Sequence, residues 1–136
     1  MKIIEGTTAQ SLHLITPEMV RAFVEMSGDQ NPIHNVELSV GSGHSYQKAI
    51  VPGLLTASLI SALIANELPG PGSIYAAQTL KFVAPVYVGD TVLTEIRVLK
   101  FESDKPRVTL DCRLTSDGGR LVIIGEAVVV PPTSHD

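Results

Sequence analysis

The stretch Ile50–Leu68, IVPGLLTASLISALIANEL, is apolar almost all the way round from Leu54 to Ala65, interrupted only by Thr56, Ser58 and Ser61. A helix without a polar face belongs in an interior. The run is too short to span a bilayer and fits a buried core helix, so no membrane segment is expected. The small residues Ala57, Ser58, Ser61, Ala62 and Ala65 leave room for another backbone to pack closely against it. Pro52-Gly53 marks the start, since a proline at a helix entrance forfeits no intrahelical bond. Pro69-Gly70-Pro71-Gly72 ends it. The first turn of such a helix carries backbone N–H groups with no intrahelical partner, a setting suited to an oxyanion or a polarised carbonyl oxygen.

Downstream, the period changes from helical to two. Alternation runs through Ser73–Phe82, then Val92, Thr94, Ile96 and Val98, and is cleanest at Val108, Leu110, Cys112 and Leu114. Asp104-Lys105-Pro106 and Asp117-Gly118-Gly119 provide the turns, and Leu121–Val130 makes a last apolar strand. The pattern predicts a four-stranded antiparallel meander wrapped round one buried helix, a single α+β domain over residues 1–136. One sheet leaves part of the helix or a sheet edge uncovered, which favours a homodimer.

Upstream, Lys2–Leu14 holds a weak strand pattern. Thr16-Pro17-Glu18 then opens a helix, with Thr16 as N-cap, Pro17 in the first turn and Glu18 complementing the dipole. Val20, Phe23 and Val24 give that helix one apolar stripe, and Gly28 stops it. Residues 35–48, including Gly41-Ser42-Gly43, form a long irregular connection into the central helix.

The 136 residues are 44% hydrophobic and 18% charged, which places the chain among globular domains. A formal net charge of -4, with no basic run, argues against nucleic acid as a partner. The N-terminal MKIIEGTT is not a signal sequence. The single Cys112 rules out an internal disulfide, reads as a small core residue and is compatible with the cytoplasm.

Candidate chemistry concentrates at Asp29 and His34, five apart across a turn stiffened by Pro32. A carboxylate and an imidazole converging on one water can take a proton from it and return one elsewhere. The same spacing accommodates Asp29 as a turn cap and His34 as a surface residue. Asn31 suits stabilisation of the turn. His13 has no partner and His135 lies in the tail. His44 with His34 could suggest a metal, but neither a His-x-x-x-His nor a paired-cysteine spacing occurs, so no metal is expected. Ser58 and Ser61 lack a nucleophile elbow and read as packing residues. No phosphate-binding or dinucleotide fingerprint is present.

Ser27-Gly28-Asp29-Gln30-Asn31-Pro32-Ile33-His34, followed by Ile50–Ser58, Leu68–Ser73 and Pro85-Val86-Tyr87-Val88-Gly89-Asp90, resembles the signature of the MaoC-like (R)-specific enoyl-CoA hydratases (hydratase 2). The likeness covers nearly the whole chain and is nearest to the short bacterial forms that serve polyhydroxyalkanoate synthesis. It implies a hot-dog fold, a homodimer, an acyl-CoA thioester substrate and no metal or redox cofactor. Matched residue by residue, Asp29 and His34 correspond to the catalytic pair. Gly53 corresponds to the glycine whose N–H binds the thioester oxygen, and Ser61 to a serine supporting the active-site loop. The implied reaction is reversible syn hydration of a trans-2-enoyl-CoA. Pro52 stands where the family commonly has histidine, and Val36 where many members have aspartate. The alternatives are a hot-dog thioesterase, a dehydratase acting on acyl-carrier-protein thioesters, and a non-catalytic partner subunit. Lys48, Lys81, Lys100, Lys105 and Arg107 are the candidates for CoA phosphates.

Overall fold

A computed structural model describes residues 3–36 and 48–133; Gly41-Ser42-Gly43, His44 and His135 lie outside them. In order along the chain are β1 (Thr8–Leu14), α1 (Pro17–Ser27), a one-turn 3₁₀ helix (Pro32–His34), α2 (Gly53–Asn66), β2 (Ile74–Gln78), β3 (Lys81–Phe82), β4 (Thr91–Glu102), β5 (Arg107–Ser116) and β6 (Arg120–Val130). The six strands form one antiparallel sheet in the order β1-β4-β5-β6-β2, with β3 also on β6.

The period-two positions of β4 and β5 behave as alternation requires, while β6 buries the consecutive Val122 and Ile123 where its register against β5 shifts. Val92, Ile96 and Val98 of β4, Val108, Leu110, Cys112 and Leu114 of β5, and Val122, Ile123, Ala127 and Val129 of β6 are buried in one cluster with α2. Leu55, Leu59, Ile60, Leu63 and Ile64 supply the helix's share. Each such side chain contributes about 1.5–3 kcal/mol when fully buried. Helix α1 starts as its residues predict: the Thr16 hydroxyl accepts from the Met19 N–H at 3.2 Å, Pro17 occupies the first turn, and Gly28 closes it at φ 78°.

One sequence expectation is corrected and another is made specific. First, the meander comprises only β4, β5 and β6. The strand expected to begin it is broken into β2 and β3 and crosses to the far side of β6, while β1 takes the place beside β4. The break falls at Thr79-Leu80, where Thr79 N–H donates to Glu126 O at 2.9 Å and the Glu126 N–H donates to the Thr79 hydroxyl at 3.0 Å. Gly125 makes this approach possible, because a Cβ there would fall 2.0 Å from Thr79 O. Second, α2 is not covered on every side. A sheet offers it one face, so Leu54, at 62% exposure, lines up with Ser58, Ser61, Ala62 and Ala65 on an uncovered stripe. No helix among the described residues is long and apolar enough to cross a membrane.

Candidate active site

Gly28, in the left-handed region, turns the chain out of α1 directly into Asp29. Asp29 Oδ1 then accepts the Asn31 N–H at 2.9 Å, and Asn31 Oδ1 accepts the Ile33 N–H at 3.3 Å. Two consecutive side-chain-to-backbone turns thus cap the 3₁₀ helix that ends at His34. Asn31 acts on the backbone of this turn.

His34 is fixed from the other direction. Its Nδ1 lies 2.6 Å from Ile50 O, and Ile50 N–H donates to Ile33 O at 2.8 Å. A carbonyl only accepts, so Nδ1 carries the proton of this bond, and a neutral ring presents the lone pair of Nε2 outward. Nε2 stands 3.6 Å from Asp29 Oδ2, too far for a direct hydrogen bond. A water about 2.8 Å from each would touch both. The His34 side chain is 11% exposed and that of Asp29 is 33% exposed, so the pair is sheltered yet reachable.

His34 borders two cavities. One, of about 260 Å³, lies on the Asp29 side and includes Arg21, Val24, Asn31 and Val36 in its wall. The other, of about 350 Å³, is mostly apolar and reaches from His34 to Gly53, Thr56, Phe82, Val83 and Ile123. Gly53 is the first residue of α2, and Pro52 before it supplies no side-chain cap. The entrance of α2, with its unpaired N–H groups and positive dipole end, therefore opens into the same space as the imidazole.

Asp29 and Asn31 are thus brought to one cavity beside His34, and Gly53 to the other. Ser61 is not: it lies on the uncovered stripe of α2 and lines neither cavity, eight residues from Gly53 or about 12 Å along the axis at ~1.5 Å per residue. Among the phosphate candidates, Lys48, Lys81, Lys100, Lys105 and Arg107 line neither cavity, and Lys100 pairs with Glu102 at 2.7 Å. Arg21, on α1, does border the Asp29 side, and the sequence reading missed it. It also missed Phe82 and Thr56. Phe82 carries only a strand alternation signal, and Thr56 reads only as an interruption of the apolar run. Among the described residues the buried Thr56 hydroxyl has no hydrogen-bond partner. Cys112 is buried in the core away from this site, and burial pushes its thiol up to about 11.

Residues 4–115 match the family described as MaoC like domain. The chain belongs to this family. Within it, the chain is 44% identical over 113 residues to the (R)-specific enoyl-CoA hydratase of Aeromonas caviae, covering 83% of this chain and 84% of that protein. The solved (R)-hydratase of A. caviae involved in PHA biosynthesis superposes with a TM-score of 0.89, at 40% identity over 96% of this chain and 98% of the other. An unliganded R-hydratase of Pseudomonas aeruginosa gives a TM-score of 0.90, at 35% identity over 97% and 84%. The hot-dog arrangement of sheet and central helix is therefore that of the MaoC-like proteins. Of the two departures from the family signature, Pro52 sits at the N-cap of α2 and Val36 adds an apolar wall beside Asp29 and His34.

Proposed function

We propose that the chain is an (R)-specific enoyl-CoA hydratase, a hydro-lyase that adds water reversibly and syn across trans-2-enoyl-CoA to give (R)-3-hydroxyacyl-CoA. The observation that carries this reading is the facing of Asp29 Oδ2 and His34 Nε2 at 3.6 Å, with His34 also on the wall of the cavity that opens onto Gly53. Its support is the likeness to the A. caviae enzyme at 44% identity.

In this reading the thioester oxygen lies against the Gly53 N–H, and Asp29 and His34 hold one water over C3. The pair removes a proton from that water as its oxygen bonds to C3. The π electrons of the C2–C3 bond shift towards the thioester oxygen, where charge develops and meets the N–H and the dipole of α2. The pair then returns a proton to C2 on the same face, which makes the addition syn. Water and substrate account for every atom with no net redox change, so the step needs no redox cofactor, and in this reading the two side chains carry its proton transfers without a metal. Asn31 supports the pair by capping its turn. The uncovered stripe of α2 and the exposed Ile74, Phe82 and Val83 near the β2–β3 edge support a homodimer, measurable by sedimentation equilibrium. The lone buried cysteine suits a cytoplasmic protein.

The test is hydration of crotonyl-CoA by the purified protein, with product chirality read by stereospecific dehydrogenases and free thiol monitored in parallel. Formation of the (R)-3-hydroxyacyl-CoA is expected, with Asp29→Ala and His34→Ala each losing about 10²–10⁴ in rate. Free CoA without hydration would make the chain a thioesterase. Inertness to the CoA ester with turnover of an acyl-carrier-protein ester would make it a dehydratase of that class. An inert dimer towards both would be a non-catalytic subunit.

A further inference from the structure

We infer that Asp90 and Arg120 are positioning residues of the hydratase site: a buried carboxylate held by a partly exposed guanidinium, a clamp that sets where His34 stands relative to Gly53. The inference rests on the functional reading above and extends it to residues outside either cavity.

Asp90 is 3% exposed, and its Oδ2 accepts three hydrogen bonds. They come from the Tyr87 N–H at 2.9 Å, the Ser116 hydroxyl at 2.9 Å and Arg120 Nη2 at 3.1 Å. Arg120 Nη1 reaches back to Pro85 O at 2.6 Å, and the guanidinium lies 5.7 Å from the centre of the Tyr87 ring. One guanidinium thereby holds both ends of the Pro85–Asp90 turn. Its planar fork allows this, and a lysine would reach only one acceptor.

The turn meets the site in two ways: Pro85 and Val86 line the Gly53 cavity, and a backbone bridge joins the turn to the segment that holds His34. Val51 N–H donates to Val86 O at 2.8 Å and Val88 N–H to Ala49 O at 3.0 Å, an antiparallel bridge centred on Ile50 and Tyr87. In an extended segment, residues 49 and 51 then bond towards the turn while the N–H and C=O of Ile50 face the opposite way. Those two groups are the ones that hold Ile33 O and His34 Nδ1. The three layers are the Pro85–Asp90 turn, the Ala49–Val51 segment and the His34 turn. Helix α2 is anchored separately by its core face, so a slip of the first layer moves His34 against Gly53. The Asp90 side chain is 5% exposed and that of Arg120 39%, so solvent screens the pair and its attraction adds little stability by itself. Fixing one register is what it does well here.

The test uses the full-length protein with Arg120→Ala, and Arg120→Lys in case the alanine variant does not fold. Val108→Ala, in the core of β5, is the control for general destabilisation. The first readout is kcat and KM for crotonyl-CoA below the melting temperature of every variant. The second is the His34 tautomer from imidazole ¹⁵N NMR, assigned by the signal missing in His34→Ala among the chain's four histidines. The Arg120 variants are expected to lose about 10- to 100-fold in kcat with KM little changed. They are also expected to give up the Nδ1–H tautomer of His34, while Val108→Ala keeps both properties. A normal His34 tautomer and normal kcat in folded Arg120 variants would overturn the inference, as would equal losses in Val108→Ala. The tautomer readout needs no activity. If Asp29→Ala and His34→Ala hydrate normally, it is the functional reading that fails, and the clamp is still judged by NMR.

Discussion

Gly53→Ala should slow hydration through the ring of Phe82. Gly53 sits at the first position of α2, where no unusual backbone angle calls for glycine. The requirement is steric: a Cβ there would stand 2.7 Å from Phe82 Cε1, 3.0 Å from Cδ1 and 3.3 Å from Cζ. Carbon atoms in contact prefer about 3.5–4.0 Å, so the ring must retreat by about 1 Å. Phe82 is 51% exposed on the short β3, so it can swing instead of forcing the helix apart. The stability cost is therefore expected at the low end of overpacking, about 1 kcal/mol, or a few degrees in melting temperature. Activity should suffer more. Ring and methyl share the wall of the cavity that His34 and Gly53 face, and a displacement of about 1 Å there costs on the order of 10² in kcat/KM. The assay is the decay of enoyl-thioester absorbance with crotonyl-CoA for Gly53→Ala, Phe82→Ala and the double variant. Removing the ring vacates the space the methyl needs, so the double variant should recover about tenfold over Gly53→Ala. A double variant whose loss equals the product of the two single losses would refute the reasoning, because independent sites multiply and contacting ones do not.

Gly125→Ala should be worse for stability than for chemistry. The new methyl would meet the backbone carbonyl of Thr79, which cannot rotate away. A loss of about 3 kcal/mol in urea denaturation is expected, and an unchanged midpoint would show that the β2–β3 break tolerates displacement from β6. Stability should also fall in alkali because of Cys112. Its thiol is raised from 9.0 to about 11, chiefly by desolvation, so the unfolded chain ionises first. The stabilisation is complete below pH ~9 and is lost as pH climbs towards ~11, a change of about 2–3 kcal/mol at 1.36 kcal/mol per unit. Urea midpoints from pH 8 to 11 should fall more steeply in the natural protein than in Cys112→Ala. Parallel curves would remove Cys112 as the cause.

Sequence alone determined whatever is built from neighbours. Thr16, Pro17 and Gly28 bound α1 through bonds spanning four residues or fewer, and Asp29, Asn31 and Pro32 shape the His34 turn the same way. The alternation in β4, β5 and β6, with short turns between them, settled their pairing, since a two-residue period shows which face is buried. Tertiary structure alone decided the rest. The alternation over Ser73–Phe82 showed a strand but carried no record of its partner, and the choice of β6 depended on a glycine 43 residues beyond Phe82 that lets Thr79 approach. The apolar circumference of α2 read as a buried helix with some part of it or of the sheet edge uncovered, but hydrophobicity reports a preference and did not say which residues one sheet would leave bare. Phe82 against Gly53, and Arg120 holding the turn beneath Ile50, join residues 29 and 70 positions apart. Such pairs are set by where packed elements meet, and no local period or turn signal encodes that.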